Sequence, residues 1–203
     1  MFIPGILIHE LGHLIMGLVS GYRLLYVEVF GLSLEKKDGA YGFKHMRKAA
    51  LGQCLMYHED LEKCPILLIL GGMVFNLIFG SVLILLSLFG EDLYFAVKLY
   101  FLAEGLANMS LVLMNIFGSS VSDGRTLKEV LCSKKQARIY NGILLMYKYL
   151  YSGAGYKDIP DVVTLSMEEL LKEGSPKEKR TGLEEEAYML VKRSRNGFTG
   201  KGI

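Results

Sequence analysis

Neither sign of charge dominates this chain of 203 residues: 23 Lys and Arg stand against 21 Asp and Glu, a net of +2. Without a basic surplus the chain lacks the electrostatic footprint of a nucleic-acid-binding protein, and no nucleic-acid partner is expected. Cysteine is scarce. Cys54, Cys64 and Cys132 are odd in number and form no C-x-x-C pair, which argues against a disulfide framework or a cysteine zinc site and for free thiols in a reducing compartment. No cleavable signal sequence is visible, because MFIPG has no basic region and the apolar stretch after it holds His9, Glu10 and His13. Charge is missing most conspicuously from Ile66 to Phe89, ILLILGGMVFNLIFGSVLILLSLF, a run of 24 residues. At about 1.5 Å per residue such a run crosses a hydrocarbon core of about 30 Å. A soluble core helix is usually shorter and keeps a polar face. With 51% hydrophobic residues and a mean hydropathy of +0.31, the chain is too apolar to be disordered. The expectation is an integral membrane protein, in the cell membrane, with the lipid bilayer as partner.

Three segments are candidate spans: Met1 to Val19, Ile66 to Phe89, and about Leu93 to Phe117, the last carrying Lys98 and Glu104. Gly90-Glu91-Asp92 is so short a turn that the second and third spans must be antiparallel neighbours. The connection from Ser20 to Pro65 holds seven Lys and Arg, the short turn none, and the tail after Phe117 fifteen. The positive-inside rule then puts the connection and the tail in the cytoplasm, an arrangement that three spans satisfy.

Within the connection, Tyr22 to Leu34 is rich in β-branched and aromatic residues. With the Gly39–Gly42 turn region and Tyr41–Phe43 it predicts one or two strands at the membrane face. Met46 to Met56 reads as a short helix. In the tail, helices are expected over Thr126–Leu131, Gln136–Tyr151, Leu165–Glu173 and Leu183–Arg193, broken at Gly153-Ala-Gly155, Pro160 and Gly174-Ser-Pro176. Tyr140, Leu144, Tyr147 and Tyr151 recur at helical spacing and predict a packed face. The closing RSRNGFTGKGI predicts a disordered end. The fold class expected is mainly α, a polytopic membrane protein: a core over 1–131 with three transmembrane helices and a small sheet after the first, then a cytoplasmic helical tail over 132–203.

His9-Glu10-Leu11-Gly12-His13 is the motif that carries chemistry. On a helix, positions i and i+4 share a face, so both imidazoles reach one metal ion, and zinc suits imidazole nitrogen. Glu10 sits where it can take a proton from a water beside that ion. Four His and fifteen Glu in this chain predict roughly 0.006 such pentads by chance, so coincidence is a weak rival. Ionisable side chains inside an apolar span also mark function by default. A catalytic zinc needs a third protein ligand and an open position. His45 and His58 have no supporting spacing. Asp123 follows the third span directly, on the same side as His13, and is the better candidate, with N-capping of Gly124–Leu131 as its competing role.

Together these residues resemble the site-2 protease family of intramembrane zinc metalloproteases. The His-Glu-x-x-His motif of that family is matched by His9, Glu10 and His13. Its Asn-x7-Asp-Gly-x-x-Leu pattern is matched by Asn115, Asp123, Gly124 and Leu127, and a middle-span Gly-Gly-x-x-x-Asn pattern by Gly71, Gly72 and Asn76. The resemblance implies His9, His13 and Asp123 as ligands of one zinc ion, Glu10 as general base, and Asn76 and Asn115 as catalytic polar groups that hold the substrate backbone or the oxyanion. An interhelical hydrogen bond is the competing role for each Asn. Gly118 stands where the family commonly has proline, and Arg125 where a second glycine is common. Eight residues precede His9, about 12 Å of helix, so the first span enters the outer half of the bilayer incompletely. The turn between the second and third spans is too short to hold a PDZ domain.

The function expected is a zinc metalloendopeptidase acting on a transmembrane or membrane-inserted peptide. The alternative is a catalytically impaired relative acting as a binding or regulatory partner.

Overall fold

The structure is a computed structural model, described over residues 2–37, 40–45, 51–117, 122–153, 155–172 and 180–196. It is mostly helical, with one small antiparallel sheet. Helix α1 spans Phe2–Val19. Four strands follow: β1 Arg23–Val29, β2 Leu32–Lys37, β3 Ala40–His45 and β4 Gly52–Tyr57. Then come the long helices α2, Ile66–Phe89, and α3, Phe95–Phe117, and the shorter α4 Asp123–Cys132, α5 Lys134–Tyr151, α6 Asp161–Lys172 and α7 Gly182–Arg195.

The sheet runs in the order β3-β2-β1-β4. β1 and β2 join through Phe30-Gly31, both at positive φ (51° and 83°), the primed two-residue turn whose twist matches flanking strands. Leu25 bulges out of the β1–β4 ladder, where Leu24 pairs with Met56 but Tyr26 with Leu55. The helix expected over Met46–Met56 is corrected: residues 52–57 form edge strand β4, hydrogen-bonded along β1, while 46–50 lie outside the described residues. The apolar run Cys54-Leu55-Met56 buries one side of a strand as readily as one face of a helix, and pairing with β1 decides the outcome.

α1, α2 and α3 form a bundle with several polar residues in its interior and many apolar residues on its outside. The buried positions of α3 are Glu104, Gly105, Asn108 and Val112, whereas Leu99, Leu106, Leu113 and Met114 point outward. On α2 the interior holds Gly71, Gly72, Asn76, Gly80 and Ser87 beside Leu68, Ile69, Met73 and Leu83, and Leu77, Ile78, Leu85 and Leu88 are exposed. Small and polar residues thus share the interior with a few apolar ones, and large apolar residues face outward. α2 and α3 are each long and apolar enough to cross a membrane. α1 is apolar but shorter, and it differs in this from the expected first span.

The tail docks on the base of this bundle. Ser133 alone stands between α4 and α5, so no linker marks the expected boundary at 131. Ile139, Met146, Met167 and Ala187 are fully buried in one cluster that also takes in Ile69 of α2. The face carrying Tyr140, Leu144, Tyr147 and Tyr151 packs against the sheet, with Tyr151 stacked on Tyr26. Asn141, wholly buried, accepts from the Tyr22 hydroxyl (2.8 Å) and donates to the carbonyls of Leu61 (3.0 Å) and Lys63 (2.6 Å). α7 continues to Arg195, so the first residues of the expected disordered end are helical; 197–203 lie outside the described residues, as does the expected Gly174–Pro176 break.

Candidate metal centre

Helical spacing stacks His9 and His13 one turn apart on α1, with their rings edge to face at 4.7 Å. Glycines bring α2 against that face. A Cβ on Gly12 would lie 2.3 Å from the Gly71 carbonyl oxygen, and one on Gly71 2.4 Å from that of Gly12, so the two backbones touch. At Gly72 a Cβ would fall 2.5 Å from His9 Cε1 and 2.6 Å from His13 Nε2. The imidazoles occupy the space that any side chain there would fill.

Asp123 comes from the far end of the bundle. It is the first residue of α4, and the competing role, capping that helix, falls to Ser122, which in extended conformation accepts from the Arg125 amide. The cap role falls one residue earlier, which leaves the Asp123 carboxylate free. Gly124 then lets α4 sit on the end of α3, since a Cβ there would lie 2.2 Å from the Asn115 carbonyl oxygen. Asp123 Oδ2 thereby lies 2.9 Å from His9 Nε2 and 3.2 Å from His13 Nε2, and the two Nε2 atoms are 3.2 Å apart.

Those three distances can be tested against a metal. Bonds of about 2.0–2.1 Å at tetrahedral angles put neighbouring ligand atoms about 3.3 Å apart. The triangle of 2.9, 3.2 and 3.2 Å is close to one face of such a tetrahedron. The hydrogen-bond chemistry agrees. His13 Nδ1 donates to the Leu68 carbonyl at 2.8 Å, so in the neutral imidazole Nε2 is the nitrogen that carries the lone pair. A second imidazole nitrogen and a carboxylate oxygen face that lone pair. One proton bridges two of these atoms, whereas a cation serves all three. The donor set therefore fits a divalent ion, and these three residues are the group that could hold one among the described residues. The His side chains are 12% and 10% exposed and Asp123 30%, so the triangle opens to solvent on the Asp123 side.

Burial works to raise the Asp123 carboxyl, but the hydrogen bonds from His13 and His9, with their charges, outweigh it and hold the group below the ordinary carboxylate range. Cys54, on β4, is held as a thiol by burial and by the negative charge of Glu10 and Asp123, and it is not among the residues whose ligand atoms converge.

No family model, curated protein or solved structure matches this chain.

Glu10 is buried against the sheet: a Cβ on Gly52 of β4 would lie 2.5 Å from its Oε1. Among the described residues its carboxylate has no hydrogen-bond partner. It lines an apolar cavity of about 270 Å³ between α1 and the sheet, walled by Leu7, Leu11, Val27, Val29 and Leu34. Asn76, wholly buried, sets its amide nitrogen 3.3 Å from His9 Nδ1, and its amide oxygen has no partner. Asn115 donates to the Leu111 carbonyl one turn back (3.2 Å), and its own carbonyl packs on Gly124. No hydrogen bond links the Asn115 side chain to the two imidazoles among the described residues. His58 accepts from the Asp60 amide at 3.0 Å, away from the triangle; the His45 side chain is outside the described residues. Sequence reasoning misses Leu68 and Gly12, because a backbone carbonyl and a backbone contact leave no spacing signal. Glu104 and Asn108 stand in the third candidate span, buried, with three acceptor atoms unpartnered.

Proposed function

We propose that this chain is an intramembrane zinc metalloendopeptidase of the site-2 protease kind, hydrolysing peptide bonds in membrane-embedded or membrane-inserted substrates. The observation that carries this reading is the metal-sized triangle of His9, His13 and Asp123, set beside a glutamate with no hydrogen-bond partner among the described residues, in a helix bundle with an apolar exterior. Zinc, when bound, supplies Lewis acidity: it polarises the peptide carbonyl and brings the pKa of a water from 15.7 towards about 7.

The protein's own groups do the rest. His9 and His13 hold the ion on a rigid helix, and Asp123 closes the triangle from α4. Glu10, next to His9 and free of partners, takes the proton of the attacking water and returns it to the leaving amine. The cavity beside Glu10 suits an apolar side chain of the substrate. A peptide bond in a helix is shielded by its own hydrogen bonds, so the substrate must be extended at the cleaved bond.

Three features support the membrane setting. α2 and α3 are apolar and of spanning length. α1, at 18 residues, rises about 27 Å, and Ile3, Leu7, Leu11, Ile15 and Leu18 form an exposed apolar stripe along it. α1 counts as the third span in this reading, and the basic residues of the sheet region and tail favour a cytoplasmic side for both.

The test is cleavage of a transmembrane peptide by purified protein in detergent. Wild type with zinc cleaves; Glu10→Gln binds zinc but does not cleave. Cleavage that survives Glu10→Gln, or a wild-type protein that binds no zinc, contradicts the proposal.

A further inference from the structure

Both imidazoles turn Nε2 towards the triangle, so both must anchor Nδ1 elsewhere. A neutral histidine that ligates through Nε2 carries its proton on Nδ1, and that proton needs an acceptor. For His13 the acceptor is the Leu68 carbonyl at 2.8 Å. For His9 the group within reach of Nδ1 is the side-chain amide of Asn76, at 3.3 Å. As placed, the amide nitrogen faces Nδ1 and the amide oxygen is buried with no partner. Two donors would then oppose each other in the metal-loaded site, while an acceptor goes unused a few ångströms away.

We infer that Asn76 is the positioning residue of His9: in the metal-loaded protein its amide is turned over, and Oδ1 accepts the Nδ1 proton of His9. A half-turn about the Cγ bond exchanges the two ends of the amide with almost no change in shape. It satisfies the orphaned oxygen and fixes the His9 tautomer in one step. Packing holds Asn76 in place. It is wholly buried on α2, and Gly72, one turn earlier on the same helix, packs directly on His9, where a Cβ would lie 2.5 Å from His9 Cε1. This role deepens the proposed metal site and rests on it. It differs from the expected role of Asn76 at the substrate backbone or oxyanion, since the amide is spent on His9.

The experiment is metal affinity in purified, detergent-solubilised full-length protein, by competition of Zn²⁺ with a chelator and by the ligand-field absorption of Co²⁺. Asn76→Leu removes the acceptor and is expected to weaken Zn²⁺ binding by about 10–100-fold, the usual cost of losing such a partner. Asn76→Asp keeps an acceptor oxygen in place and is expected to bind at least as tightly as wild type, with the wild-type Co²⁺ spectrum. The metal-free Tm of each variant reports separately on folding. Wild-type affinity in Asn76→Leu, or an equal loss in both variants, overturns the positioning role and leaves the metal site standing. Absence of Zn²⁺ binding by wild type overturns the metal site itself, and this role with it.

Discussion

Gly72→Ala is the most searching perturbation of the site that adds a single carbon. Its Cβ would fall 2.5 Å from His9 Cε1, 2.6 Å from His13 Nε2 and 2.7 Å from His9 Nδ1, where ordinary contact begins at 3.4 Å. The imidazoles, or α2 itself, must therefore shift by about 0.7–0.9 Å. Metal–ligand distances tolerate about 0.2 Å. The expected result is a loss of zinc affinity of at least about 10–100-fold, comparable to losing a partner that orients a ligand. Gly80→Ala is the control. Its Cβ meets Met109, Asn108 and the Gly105 carbonyl at 2.9–3.0 Å, a comparable crowding of the bundle remote from the imidazoles. It should lower Tm and leave zinc affinity within a few-fold of wild type. Chelator competition on both variants, with Tm measured in parallel, makes the comparison. A folded Gly72→Ala protein that binds zinc like wild type would refute the placement of the two imidazoles against α2.

Other outcomes follow from single contacts. Phe30 holds a φ of 51° in the β1–β2 turn and is 41% exposed, so Phe30→Asn, which makes an Asn-Gly turn, should stabilise by about 1 kcal/mol and raise Tm; a fall would show that the ring contributes packing. Glu104 is 1% exposed with neither oxygen paired, so Glu104→Leu should raise Tm, whereas a drop would reveal a partner such as bound water. At Glu184, burial raises the carboxyl, but the Lys135 ammonium at 2.8 Å, the Thr181 amide and Gln136 outweigh it and hold the group below its ordinary range. A depressed carboxylate stabilises above its unfolded pKa, and the gain is lost as pH falls through the folded value. Glu184→Gln should therefore cost about 1–3 kcal/mol at neutral pH, with the gap to wild type closing in acid; a gap independent of pH would assign the effect to packing.

Much of the site is legible in the sequence because its chemistry is written in spacing. His9 and His13 are one helical turn apart, and Asp123 stands alone after an apolar segment; the structure brings all three together. The competing role of Asp123 is decided one residue away, at Ser122, and whether Ser or Asp caps a helix turns on a local φ that both residue types accept. The strand β4 reads as a helix in sequence because a short apolar run has no period of its own, and its identity comes from β1, some 25 residues earlier. The docking of the tail is hidden for a similar reason. Tyr140, Leu144, Tyr147 and Tyr151 announce a packed face, but not that the sheet is what covers it. The polar interior of the bundle follows from Glu104 and Asn108 lying four residues apart on a mainly apolar helix, a spacing that carries meaning once α1 and α2 are known to lie on that side.

The central claim is a cation held by two imidazoles and one carboxylate, and X-ray absorption at the zinc edge tests it most directly. Zinc-loaded wild-type protein should show four light-atom neighbours at about 2.0–2.1 Å with the outer-shell scattering of two imidazoles, and Asp123→Asn should weaken binding while leaving both imidazoles in the spectrum. A shell with no imidazole scattering, or one unchanged in both affinity and spectrum by Asp123→Asn, would contradict it.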